Sequence, residues 1–147
     1  MAKIKVHDRS VFISCLSANE KVATILRDEL MRNNVGSWCE KAELLEDDIW
    51  RVVLMEAINN CKIFLLILTH NSLKSDYMKQ EIIQAFNKKK RDGNRFFIIP
   101  ILFNIKANEI PRQISSMHCV DITSTDKRAD KIRSLIFSIK KVLKPVK

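Results

Sequence analysis

Glycine is scarce in this chain, since only Gly36 and Gly93 occur among 147 residues. Two isolated glycines cannot form either of the glycine-rich loops that hold nucleotide phosphates, GxGxxG and GxxxxGK[ST]. No apolar run reaches the length of a membrane-spanning helix, and the first ten residues, MAKIKVHDRS, lack the apolar core of a signal peptide. We therefore expect a cytoplasmic protein without a membrane partner.

The cysteines and histidines show no spacing typical of a metal site. Cys15, Cys39, Cys61 and Cys119 form no CxxC pair, and three of them lie in or beside apolar runs, so we interpret them as small buried thiols. The three histidines are scattered, and nothing in the spacing points to a Cys/His nucleophile pair. We predict no metal and no bound cofactor.

Net charge is +9, which is a reason to consider nucleic acid as a partner. The lysines and arginines, however, cluster at residues 88–91 and 140–147, where two helices are predicted to end. Cations at helix C-termini complement the helix dipole, so solvated helix ends explain the charge without a ligand. Nucleic acid is therefore the least favoured partner, and a weak attraction to an anionic nucleotide stays open.

Apolar strand-like runs alternate with helical stretches along the whole chain, and hydrophobic residues make up 46% of it. Strands are predicted at 11–16, 35–39, 63–68, 96–99 and 118–122, and helices at 20–33, 49–60, 75–91 and 127–143, with one short helix between 104 and 116. Gly36 is predicted to stop the first helix, and Pro100 to end the fourth strand or form a bulge. The alternation predicts one domain, residues 1–147, with an α/β fold: a doubly wound, flavodoxin-like, five-stranded parallel sheet of order 2-1-3-4-5 with helices on both faces.

The stretch from Ile63 to Phe86 carries the clearest functional signal. Six apolar residues without alternation predict a strand buried on both faces, and Glu81 follows on the next helix. Ligands of open α/β sheets bind beyond the carboxyl ends of the strands. A helical wheel places Glu81 at the border of an apolar stripe, beside Tyr77, where partial desolvation strengthens its effect on a cation. The alternative is a border glutamate that pairs with Lys88 or Lys89.

Four stretches together resemble a Toll/interleukin-1 receptor (TIR) domain of the kind common in bacterial immunity proteins. They are VFISCLSAN, WCEKAELLEDDIW with the family's BB loop, LTHNSLKSDYMKQEI around the family's catalytic glutamate, and IIPILF followed by EIPRQI. The resemblance covers nearly the whole chain. Four positions depart from the pattern. Cys15 and Tyr77 stand where aromatic and tryptophan residues are usual, and Glu46-Asp47 stands where the BB loop usually carries Pro-Gly.

The resemblance implies an NAD+ glycohydrolase or cyclase, which cleaves the nicotinamide–ribose bond and is activated by self-association in bacterial antiphage immunity. NAD+ is then a substrate, and Glu81 is the catalytic carboxylate that stabilises an oxocarbenium-like ribose. The resemblance implies that the pocket walls come from Ser14, Leu16, Ser17, Trp38, Ser72 and Tyr77. Trp38 has the alternative interpretation of an aromatic that fills the core.

Other functions remain open from the sequence. TIR domains also act as non-catalytic signalling scaffolds through homotypic TIR–TIR contacts, and the BB loop is then the interface. A nucleoside deoxyribosyltransferase on the same fold would use a similar glutamate. Because the chain is short, we expect a sensor domain or a partner protein to supply the activating signal.

Overall fold

A computed structural model of the chain describes residues 9–41 and 48–143. The described strands are β1 (Arg9–Cys15), β2 (Gly36–Lys41), β3 (Ile63–Leu68), β4 (Phe97–Leu102) and β5 (Val120–Asp121). The described helices are α1 (Glu20–Arg32), α2 (Asp48–Asn60), α3 (Asp76–Asp92), α4 (Arg112–Ser115) and α5 (Thr125–Leu143). The predicted BB-loop residues Glu46 and Asp47 lie outside the described residues.

The sheet has the predicted topology. Its order is β2-β1-β3-β4-β5 and all four neighbouring pairs are parallel. In the centre of the sheet, Ile13 of β1 pairs with Leu65 of β3, which in turn pairs with Ile99 of β4. The doubly wound flavodoxin-like fold is thereby confirmed.

Each face of the sheet carries its own hydrophobic cluster. Helices α1 and α5 cover the first cluster, which contains Val11, Ile13, Leu26, Leu65 and Ile136. Helices α2, α3 and α4 cover the second, which contains Phe12, Ile58, Phe64, Met78 and Ile114. Successive side chains of a strand point to opposite faces, so β1 and β3 contribute to both clusters.

The fourth strand runs through Pro100, so the prediction that it ends at residue 99 was wrong. The N–H groups of Phe97 and Phe103 donate towards the β3 side, at 3.0 Å each. Alternate residues of a strand face opposite neighbours, so the nitrogen of Pro100 faces β5. Because β5 first pairs at Ile101, the missing N–H of Pro100 costs no ladder hydrogen bond.

The fifth strand is shorter than predicted, with two residues instead of five. The carboxylate of Asp121, the last residue of β5, accepts a hydrogen bond from the N–H of Thr123 at 2.9 Å. Such a bond between a side chain and the backbone two residues on is an Asx turn, which ends the extended segment.

The stop of the first helix is an asparagine and not the predicted Gly36, which is the first residue of β2. Asn34 has a φ of 62°, in the left-handed region. The N–H of Val35 donates to the carbonyl of Leu30 at 2.9 Å, and the N–H of Asn34 to that of Met31 at 3.0 Å. These are the two hydrogen bonds of a Schellman motif, which an asparagine can close.

A hydroxyl-bonded turn follows β3 and leads into α3. Ser72 is fully buried, and its Oγ accepts a hydrogen bond from the N–H of Thr69 at 2.8 Å. The same oxygen lies 2.9 Å from Thr69 Oγ1 and 3.1 Å from the carbonyl oxygen of Ile67. The side chain of Ser72 therefore stabilises the turn that follows the central strand β3.

All four cysteines are reduced thiols outside disulfides, of which Cys15 and Cys61 are buried and the other two are half-buried. Cys61 lies between α2 and β3 and donates to the carbonyl of Ile58 at 3.2 Å. Burial raises the pKa of the Cys61 thiol from 9.0 to about 12. The folded state thus keeps Cys61 protonated where the unfolded chain ionises it.

We expect Cys61 to make the fold sensitive to alkali. Its contribution to stability is complete below pH 9.0 and is lost as the pH rises towards about 12, because only the unfolded thiol ionises in that window. Between about pH 8 and pH 10.5, the parent should lose ~2 kcal/mol more unfolding free energy than Cys61→Ala. Urea titrations of both chains across this range measure the difference, and parallel curves would contradict it.

Substitution of Ser72 by alanine should destabilise the fold by ~2 kcal/mol, because it leaves a buried N–H of Thr69 without its acceptor. Thermal and chemical unfolding measure the loss. Ser138→Ala is the control, since Ser138 is an exposed helical serine and alanine favours a helix. Equal stability of the two variants would show that the turn does not depend on this hydroxyl.

Candidate active site

Glu81 lies inside the apolar face of α3, and the predicted border position was wrong. Helix α3 begins after Ser75, whose side chain accepts a hydrogen bond from the N–H of Met78 at 3.3 Å and caps the helix. Met78, Ile82 and Ala85 are buried on the face that packs against the sheet. Glu81 is only 2% exposed among them. A buried carboxylate needs a hydrogen-bond donor.

Ser14 of β1 supplies such a donor. Its hydroxyl donates to Glu81 Oε1 at 2.5 Å, and Ser14 itself is fully buried. Alternation along the strand puts Ser14 on the same face as Phe12 and Leu16, towards α3. The serine hydroxyl takes the place of an apolar side chain there, which allows α3 to turn a carboxylate into the core.

The lysines offered as alternative partners of Glu81 contact other groups. Lys88 donates to the carboxylate of Asp92 at 2.9 Å and to the carbonyl of Asn59, and its ammonium lies 5.1 Å from the ring centre of Phe96. The hydrogen bond from Lys88 holds the pKa of Asp92 below its ordinary value. Lys89 donates to the carbonyls of Gly93 and Phe96. Both ammonium groups thus stabilise the C-terminal end of α3.

Two aromatic side chains stand on the same side of the sheet as Glu81. Trp38 of β2 pairs in register with Phe12 of β1, one alternation before Ser14. Tyr77 lies one helical turn before Glu81 on α3. Both rings are half-buried and pack against the second hydrophobic cluster. Trp38 therefore contributes to the core, as its alternative interpretation requires, and keeps part of its ring at the surface.

The structure separates the two remaining predicted pocket residues from this group. Ser17 is exposed in a short 3₁₀ turn, Ser17–Asn19, that leads into α1. Ser72 is buried in the turn after β3, where its hydroxyl bonds to neighbouring backbone and to Thr69. Glu81, Ser14, Leu16, Trp38 and Tyr77 thus share one sheet face, while Ser17 and Ser72 lie in the turns beyond β1 and β3.

A polar cleft that the sequence reasoning did not predict opens at the carboxyl ends of β1, β3 and β4. It has a volume of about 190 Å³ and is lined by Leu16, Ala18, Asn19, Thr69, His70, Asn71, Phe103 and Asn104. The signal was present in the sequence, because polar residues follow three predicted strands at the sheet edge where α/β folds bind ligands.

A hydrogen-bonded pair of side chains, His70 and Glu109, lies at the edge of this cleft. Glu109 accepts a hydrogen bond from the N–H of Lys106 at 3.0 Å and contacts the ring of His70. These two bonds, that of the backbone first, hold the pKa of Glu109 below its ordinary value. The pair links the turn after β3 to the loop after β4.

Within residues 9–41 and 48–143, no group of three or more His, Cys, Asp and Glu side chains is placed to hold a metal ion. None of the helices in that part of the chain is both long enough and apolar enough to cross a bilayer.

Comparison with known proteins gives consistent results. The chain is 21% identical over 127 residues to the stimulator of interferon genes protein of Magallana gigas, which covers 86% of this chain and 31% of that protein. It superposes on the RPS4 and RRS1 TIR domain heterodimer with a TM-score of 0.72, at 11% identity, covering 91% of this chain and 97% of that one. A metazoan TIR-STING receptor from C. gigas, solved with 2′,3′-cGAMP, gives 0.62 at 22% identity, covering 92% and 41%.

Because the sequence identities to these solved structures are low, the likenesses show the fold alone. The chain spans less than a third of the length of the curated relative, 31%. The family profile described as TIR domain matches residues 11–136, which is most of the sequence. The chain therefore belongs to the TIR domain family.

Proposed function

We propose that this chain is an NAD+ glycohydrolase or cyclase that releases nicotinamide and ADP-ribose, or a cyclic isomer of ADP-ribose, and acts in immune signalling after self-association. One observation carries the proposal: Glu81 is a carboxylate turned into the core at 2% exposure and held there by the hydroxyl of Ser14. A structural role alone would not require a charge at this position.

The reaction suits a buried carboxylate. When the C1′–N bond of NAD+ breaks, the electron pair goes to the pyridinium nitrogen, which leaves as neutral nicotinamide. The ribose becomes oxocarbenium-like, and a carboxylate in a low-dielectric site stabilises that positive charge more strongly than water does. Water, or the adenine ring in a cyclase, then attacks C1′, and in hydrolysis the attacking water loses a proton to solvent. Because the leaving group already carries its positive charge, it needs no protonation.

The side chains that share a sheet face with Glu81 suit the pyridinium ring of NAD+. Trp38 and Tyr77 are half-buried on the same face of the sheet as the carboxylate, and aromatic faces stack well on a flat pyridinium. Leu16 lies on the same face and adds apolar surface. Ser17 and Ser72 remain candidate contacts at the turns beyond the strands, with Ser72 dependent on movement of its turn.

Self-association is part of the proposal because of the burial of Glu81. A carboxylate at 2% exposure is not open to a substrate as large as NAD+, so the side chains that cover it must move. Contact between chains can supply the free energy for that movement. The RPS4 and RRS1 TIR domains, which share this fold, form a heterodimer. A sensor domain or partner protein that brings copies together would then control the activity.

A scaffold function is the alternative. The same heterodimer favours it, because TIR domains of that pair associate. In this reading the chain works by homotypic contact, and the bond between Ser14 and Glu81 only holds α3 on β1.

Nicotinamide release from NAD+ tests the proposal, measured by chromatography over a range of protein concentrations. The parent should release nicotinamide at a rate that rises more than linearly with concentration. Glu81→Gln, which keeps the shape and removes the charge, should lower the rate by about 100-fold or more. Glu56→Gln is the matched control, since Glu56 is an exposed glutamate on α2, and it should keep the parent rate. No release by the parent at any concentration would favour the scaffold.

A further inference from the structure

We propose that Ser14 is a positioning residue for Glu81, which acts on the carboxylate and not on the substrate. This inference rests on the proposed function. It changes the role expected for Ser14 from a wall of the substrate pocket to the group that orients the catalytic carboxylate and favours its charged form.

The hydroxyl proton of Ser14 is committed to Glu81. A serine has one O–H to donate, and two acceptors lie near it: Glu81 Oε1 at 2.5 Å and Met78 Sδ at 3.4 Å. A thioether is a weak acceptor, whereas a hydroxyl on a carboxylate forms a short charge-assisted bond of about this length. The proton therefore goes to the carboxylate, and Ser14 has none left for a ribose hydroxyl.

The position of Ser14 in the sheet makes it a rigid anchor. It pairs with Glu40 of β2 on one side and Leu66 of β3 on the other, and it is fully buried. Glu81 is the sixth residue of α3, a helix of 17 residues. The bond thus ties a side chain of the helix to a strand inside the sheet, and catalysis needs a carboxylate held within fractions of an ångström.

The hydroxyl of Ser14 supports the negative charge of Glu81 in largely apolar surroundings. On the second face of the sheet, the elements packed against α3 present apolar residues, namely Leu66 of β3 and Leu54 and Ile58 of α2. Ionisable residues on α3 near Glu81 are Tyr77, one turn earlier, and Lys88, two turns later on the buried face, whose ammonium donates to the carboxylate of Asp92. A donor to the charged form favours ionisation, so removal of the hydroxyl should make Glu81 harder to ionise.

The test compares Ser14→Ala, Ser14→Thr and the matched control Cys15→Ala in the full chain. Cys15 is the next residue of the same strand, equally buried, but on the opposite face. For Ser14→Ala we expect a fall in kcat of about 10-fold or more with KM changed less than about 2-fold, and an acid limb of the pH–rate profile moved up by about one pH unit. Ser14→Thr, which restores a hydroxyl, should recover part of both. Cys15→Ala should lose stability and keep the profile.

Three outcomes would overturn the inference. A raised KM with unchanged kcat in Ser14→Ala would make Ser14 a substrate contact. A profile identical to that of Cys15→Ala would leave it a packing residue. If the parent shows no turnover, the proposed function fails, and the bond is still tested by ¹³C NMR titration of the Glu81 carboxyl. An upward shift of its titration midpoint in Ser14→Ala would support the bond, and no shift would overturn it.

Discussion

The burial of β3 on both faces is the constraint on which the other elements depend. All six residues from Ile63 to Leu68 are fully buried. Ile63, Leu65 and Ile67 point to one cluster, while Phe64, Leu66 and Leu68 point to the other. A strand of this kind needs helices on both sides. On the second side α3 provides part of the cover, together with α2 and α4. The ring of Phe64 stacks there on that of Phe12 with centroids 5.4 Å apart. The approach of α3 to this face brings Glu81 against β1.

The fold could be predicted from the sequence because the alternation of strands and helices leaves few topologies once crossovers are right-handed. The details that failed depend on neighbours in space. Pro100 was predicted to end its strand since proline lacks a donor, but that loss matters only if a partner faces the proline nitrogen. No such partner faces Pro100, because β5 is short and first pairs with β4 at Ile101. In the same way, Asn34 and not Gly36 ends α1. The residue that adopts the left-handed conformation is determined by the last hydrogen bonds of the helix.

For the candidate site, the sequence predicted where Glu81 lies along the chain but not how deeply it is buried. A helical wheel describes only the helix itself, and so it placed the carboxylate at the edge of the apolar stripe. The group that permits burial, Ser14, is 67 positions earlier, and its orientation follows from the register of two parallel strands. Ser72 differs, because the pattern Thr-x-x-Ser after a strand is a local hydrogen-bonding signal that could have been recognised as a turn.

The burial of Glu81 bears on the choice between the two functions. A carboxylate at 2% exposure gives up much of its hydration when the chain folds. An apolar side chain of similar volume would stabilise α3 against the sheet better. For a scaffold, such a carboxylate serves to hold α3 on β1 through its bond to Ser14, and an apolar contact could do the same. For the proposed enzyme, the same desolvation strengthens the attraction between the carboxylate and a developing positive charge. The group that weakens the packing of α3 is thus the group that the chemistry needs, a conflict between stability and function that is common at active sites. The burial of Glu81 thus favours the enzyme over the scaffold.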